Sequence, residues 1–139
     1  MKKIALILGI LSSVAVLAGD HSATMKINAE IVRPLNIKSN GDIELGALTR
    51  NEYKTAESSF EIEGESGAWV LVAIQRNNVL THKNDNSITI DYSLEYGDLS
   101  RRLDSNGLNT LPMKVHITVP SNQAAGVYEG EIVAAIRYN

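Results

Sequence analysis

The chain has 139 residues, with 13 Lys and Arg against 16 Asp and Glu, a formal net charge of −3 and no cysteine. This balance argues against nucleic acid or an anionic membrane surface as a partner. The lack of cysteine excludes disulfides, a lipid-modified leader cysteine and the usual cysteine-based zinc patterns.

The chain opens MKKIALILGILSSVAVLAGD. Lys2 and Lys3 precede an apolar stretch from Ile4 to Leu17, and Val16 and Ala18 occupy the −3 and −1 positions of a cleavage between Ala18 and Gly19. Residues 1–18 therefore read as a secretory signal peptide. The alternative is an uncleaved N-terminal anchor, for which the stretch is short and rich in small residues. Removing Lys2 and Lys3 takes the 13 basic residues to 11 against 16 acidic ones, a formal charge near −5. What remains, about 120 residues, is the size of one domain.

Residues 19–33 begin small and polar, then alternate. Met25, Ile27, Ala29 and Ile31 fall on one side, and Lys26, Asn28 and Glu30 on the other. Pro34 interrupts pairing, so PLNI begins a separate strand within a domain spanning 34–139. NGDIELGAL reads as a turn followed by a short strand carrying Ile43 and Leu45. SSFEIEGESGAWVLVAIQ gives Phe60 and Ile62, a glycine-containing turn, and a run from Trp69 to Ile74 that is apolar on both faces. Such a run suits a central strand with Trp69 in the core, although periodicity alone does not exclude a short buried helix. RNNVLTHKNDN reads as a loop. SITIDYSLEYG alternates cleanly, with Ile88, Ile90, Tyr92, Leu94 and Tyr96 on one face. DLSRRLDSNGLNT reads as a long connection, after which Met113, Val115, Ile117 and Val119 alternate with Lys114, His116 and Thr118. PSNQAAG turns into the last segment, GVYEGEIVAAIRYN, which reads as one strand with Tyr128, Gly130, Ile132, Ala134, Ile136 and Tyr138 on one face. Six to eight short strands, with no sustained helical period, predict an all-β, immunoglobulin-like β-sandwich.

Catalytic and metal motifs are lacking. His21, His82 and His116 have no neighbours at metal-ligand spacing. Glu61 and Glu63 share a strand face, as do Glu129 and Glu131, but same-face carboxylates on an exposed strand read as solvated surface rather than a glycosidase pair. The carboxylates of NDNSITIDY lack calcium-loop spacing. No phosphate loop, nucleophile elbow or H-E-x-x-H is present. The expectation is a protein without catalytic residues, cofactor or metal.

The two ends of the mature chain resemble those of chaperone–usher fimbrial pilins. Gly126 stands fourteenth from the end, Tyr138 is a penultimate aromatic, and Tyr128, Ile132, Ala134 and Ile136 alternate between them. TMKINAEIVRPLNI resembles the extension and first strand of pilins, particularly those of the alternative chaperone–usher class. The resemblance implies an incomplete sandwich completed by a donor strand. Met25, Ile27, Ala29 and Ile31 would fill successive pockets of a neighbour's groove. Gly126, Tyr128, Ile132, Ala134, Ile136 and Tyr138 would line the acceptor groove that a periplasmic chaperone occupies first. It further implies export through the periplasm to a fimbria on the cell surface, with copies of itself, an outer-membrane usher and a host-surface receptor as partners. A subunit able both to donate and to accept suits a shaft rather than a tip. The competing expectation is a self-contained secreted or periplasmic binding module, in which the first strand completes its own sandwich.

Overall fold

The computed structural model describes residues 4–8 and 21–139. The expected cleavage between Ala18 and Gly19, and most of the expected signal peptide, lie outside the described residues. Within them the strands are β1 (Ile4–Leu8), β2 (Ile27–Ile31), β3 (Asn36–Ser39), β4 (Tyr53–Glu63), β5 (Trp69–Arg76), β6 (Val79–His82), β7 (Asp85–Tyr96), β8 (Ser100–Arg102), β9 (Leu108–Thr118), β10 (Tyr128–Glu129) and β11 (Ile132–Tyr138). They form a six-stranded sheet ordered β10-β6-β7-β9-β4-β3, a three-stranded sheet ordered β11-β5-β8, and a separate β1-β2 pair. Every pairing is antiparallel. The two larger sheets pack as an all-β sandwich, as the alternating segments predict.

Strand β9 is the spine of the larger sheet, paired with β4 along its whole length and with β7 from Met113 to Ile117. Its period-two pattern sends Leu111, Met113, Val115 and Ile117 inward, where none exceeds 4% exposure. Leu111 and Met113 pack with Ile62, Val70, Val72 and Leu103. Val115 and Ile117 pack with Ile90, Tyr92 and Val119 in a second cluster. Burying each such side chain contributes about 1.5–3 kcal/mol, so this strand alone supplies a large share of the stabilisation.

Five expectations need correction. Asp42–Leu48 is not a strand, yet Ile43, Leu45 and Leu48 still pack against the core from irregular chain. Side chains satisfy the backbone just before it: Ser39 Oγ and Ser58 Oγ both donate to the Gly41 carbonyl, at 2.9 and 2.7 Å. The supposed loop at Val79–His82 is β6, which forms a two-residue hairpin with β7 and carries a register shift between Thr81 and His82. Its polar flanks, Asn77–Asn78 and Lys83–Asn84, disguise four residues of strand. The connection after Tyr96 contains β8, and Leu103 within it is 1% exposed. Trp69 is 51% exposed rather than buried, because β5 turns Val70 and Val72 inward and leaves Trp69 on the outer face of the smaller sheet.

The last expected strand is two strands. Tyr128 belongs to the larger sheet, where β10 pairs with β6, and the chain then crosses at Gly130 and Glu131 to the smaller sheet as β11. A side chain on Gly130 would place its Cβ 2.8 Å from Leu80 Cδ2 and push that side chain aside at the crossover. Upstream, Gly126 has φ +148°, and a Cβ there would collide with the His82 ring. That ring sits edge-on to Tyr128 at 5.2 Å between centroids, and its Nε2 lies 3.0 Å from the Ala125 carbonyl. Gly126→Ala is expected to lower stability by about 1–3 kcal/mol, read as a lower midpoint in urea unfolding.

Candidate functional site

The candidate site is the free edge of β11 and the chain segment that leaves the sandwich beside it. From Ile132 opposite Arg76 to Tyr138 opposite Val70, β11 forms a continuous ladder with β5. Among the described residues β5 is its only strand partner. β3 comes alongside but is hydrogen-bonded to β4 instead. The inward row Ile132, Ala134, Ile136 and Tyr138 packs on the first core cluster but is only half-buried. Val70 and Val72, on the neighbouring strand, are 0% and 2% exposed. Apolar side chains thus approach the core along an edge where further main-chain pairing is open to another chain.

Tyr138 fixes one end of this edge. Its hydroxyl donates to the Arg33 carbonyl at 2.6 Å and accepts from the Glu65 amide at 2.8 Å. The Arg33 amide in turn donates to Glu65 Oε1 at 3.0 Å. These three bonds close a ring joining the C-terminal strand, the turn after β4, and the point where the N-terminal segment enters the sandwich. Glu65 is 2% exposed, and its Oε2 has no hydrogen-bond partner among the described residues. Arg33 reaches outward, its guanidinium 3.7 Å from Glu63 and 3.4 Å from the Asn106 carbonyl. The sequence marked Tyr138 only as a penultimate aromatic. The partners of its hydroxyl lie 73 and 105 residues away, and no local pattern reveals them.

Before Arg33 the chain leaves the body. β2 pairs with β1 in the register Ile4↔Ile31 to Leu8↔Ile27 and joins neither larger sheet. Met25 is 88%, Ile27 58% and Ile31 63% exposed, and Ala29 is exposed as well. The segment 25–31 therefore does not complete its own sandwich. Gly126 lies in the bend before β10 and Tyr128 on the larger sheet, apart from the ladder that brings Ile132, Ala134, Ile136 and Tyr138 together.

The other polar candidates have structural partners. Glu61 lies 3.3 Å from Lys38, and Glu63 faces Arg33 as above, so these carboxylates meet different cations. Asp85 accepts from the Ser87 hydroxyl and amide at 2.6 and 3.0 Å, and those bonds hold its carboxyl below the ordinary range. Among the described residues no group of three or more acidic, histidine or cysteine side chains is placed to hold a metal ion. His116 lies on the outer face of β9 and bridges two side chains: Tyr53 Oη lies 2.8 Å from Nδ1, and Glu95 Oε1 lies 2.8 Å from Nε2.

Replacing Tyr138 with Phe removes a hydroxyl that serves two part-buried backbone groups. Tyr138→Phe is expected to cost about 1–3 kcal/mol, measured by urea unfolding. Faster hydrogen exchange at the Glu65 amide would locate the loss at this ring.

No curated protein matches the chain. Among solved structures, a chain in a structure described as a chaperone–tip adhesin complex in CFA/I fimbriae biogenesis is 16% identical, with a TM-score of 0.49. The alignment covers 99% of this chain and 52% of that one, so the present chain spans about half its length. Residues 32–138 match the family described as Domain of unknown function (DUF4402), and the chain belongs to that family.

Proposed function

We propose that this protein is the repeating subunit of a surface fibre, assembled by strand donation between copies. Residues 1–18 direct export, residues 19–33 form the donor segment, and residues 34–139 form the accepting sandwich. The segment of one copy lies along β11 of the next, with Met25, Ile27, Ala29 and Ile31 facing the half-buried row of Ile132, Ala134, Ile136 and Tyr138. A periplasmic chaperone covers that edge beforehand, an outer-membrane usher exports the assembled chain, and the finished fimbria supports attachment to a host-surface receptor.

One observation carries this reading. Among the described residues the same chain has an apolar strand that joins neither larger sheet and an apolar strand edge paired on one side only. Each is unfavourable alone, and each has the geometry the other lacks. Burying Met25, Ile27 and Ile31 would contribute about 5–9 kcal/mol before entropy, an upper figure because unfolded chains are already partly compact. That is comparable with the whole stability of a domain, about 5–15 kcal/mol. A copy lacking its neighbour would be marginal, which gives a chaperone a physical task.

Purified protein is expected to run as a ladder of multimers that withstands SDS until boiled. Deleting residues 19–32 should abolish the ladder while leaving a subunit that dissolves only with its chaperone. A deletion variant that folds alone at the full stability of the parent would overturn the proposal and favour a self-contained binding module.

A further inference from the structure

The exposed face of the larger sheet carries a second constellation, distant from the β11 edge in sequence and in use. Strands β4, β9 and β7 lie side by side here, with Thr55 opposite His116 and His116 opposite Ser93. The period of two that sends Val115 and Ile117 inward leaves His116 and Thr118 on the outer face with Tyr53, Asp91, Ser93 and Glu95. Tyr53, Asp91, Tyr92, Ser93, His116 and Thr118 line a shallow depression of about 370 Å³. That lies near the lower end of the roughly 300–1,000 Å³ typical of small-molecule sites.

The wall of this depression is held in place. Glu95 as a carboxylate only accepts, so His116 Nε2 carries the proton that it donates across 2.8 Å. In the neutral imidazole Nδ1 is then the bare nitrogen and accepts the Tyr53 hydroxyl proton, also at 2.8 Å. The Tyr53 and His116 rings lie nearly parallel, 18° apart with centroids at 6.3 Å. Tyr53 is nevertheless 61% exposed. The result is an aromatic face presented to solvent at a fixed angle, with its polar end already engaged. Around it stand a carboxylate at Asp91 and hydroxyls at Ser93 and Thr118, all exposed. Tyr92, between Asp91 and Ser93, borders the depression through its main chain, its own side chain turned inward onto Ile90 and Val115.

We propose that this depression binds a neutral sugar ring. A pyranose has an apolar face of C–H groups, which suits an immobilised exposed aromatic, and vicinal hydroxyls, which suit a carboxylate and adjacent hydroxyl groups. The Asp91 charge disfavours acidic sugars. This inference does not depend on fibre assembly, since it uses the face of one sheet and not the edge of the other.

Saturation-transfer NMR tests it on the full chain, as monomer or as fibre. The probes are the methyl glycosides of glucose, galactose, mannose, fucose and N-acetylglucosamine, with N-acetylneuraminic acid as the acidic comparison. At least one neutral glycoside should receive saturation, strongest at the ring protons of its apolar face. Tyr53→Ala should weaken binding about tenfold, whereas Tyr53→Phe, which keeps the ring, should weaken it only about threefold. Asp91→Asn, at an exposed position, provides a second variant that is expected to fold and to lose affinity. Absence of transfer from every neutral glycoside at about 20 mM would overturn the proposal. So would unchanged transfer in a folded Tyr53→Ala variant, or stronger binding of the acidic sugar.

Discussion

A strand needs two neighbours to satisfy both sides of its backbone, and among the described residues β11 has one. The shape of the molecule around that edge follows from this inequality. The inward side chains of β11 are required by the core, since Ile132, Ala134, Ile136 and Tyr138 pack against the cluster built on Ile62, Val70 and Leu111. The strand is therefore held firmly on its β5 side and by its side chains, while its outer backbone groups face away. An edge of this kind is either blunted by charge, covered, or used. Only Arg137 adds charge to the strand itself, on the outward row with Val133 and Ala135.

Sequence patterning revealed the parts of the fold where one sheet face meets water and the other meets the core. In β7 and β9 the alternation is visible because polar residues fall on every outward position from Asp91 to Glu95 and from Lys114 to Thr118. It failed in β5, where both faces are apolar and the outer one is nonetheless exposed at Trp69. Burial cannot be read from hydrophobicity when the partner for a face is not encoded nearby. The short strands β6 and β8 were missed for a different reason. Three or four residues provide too few alternations to stand out, and their pairing is set by β7 and β5. The split between β10 and β11 was hidden because Tyr128, Gly130 and Ile132 keep the period of two straight through the crossover.

The terminal tyrosine shows how a residue marked by position acquires a physical role. A hydroxyl that both donates to Arg33 and accepts from Glu65 ties the exit of the N-terminal segment to the end of β11. The root of that segment is thereby fixed although Met25 to Ile31 lies off the body. A segment with a fixed root loses less freedom on docking than one attached through a loose linker, because its direction of departure is already set. The buried Glu65 carboxylate, with one oxygen unpartnered among the described residues, is a local cost of building this joint.

Edges and faces of a sheet are separate resources. Strand addition along β11 would extend the smaller sheet sideways through main-chain pairing. The Tyr53 depression lies on the outward surface of β4, β9 and β7, around His116 of β9, which is paired with Thr55 on one side and Ser93 on the other. What this face presents outward is side chains. Those present are an immobilised ring, a carboxylate and hydroxyls, without the continuous apolar row that β11 turns inward. The two regions are therefore suited to different partners for reasons of geometry: an edge recognises an extended chain through its periodic backbone, and a sheet face recognises a compact ligand through its side chains. A subunit joined along its edge would keep such a face available on every copy, and weak individual contacts repeated along a fibre add through effective concentration.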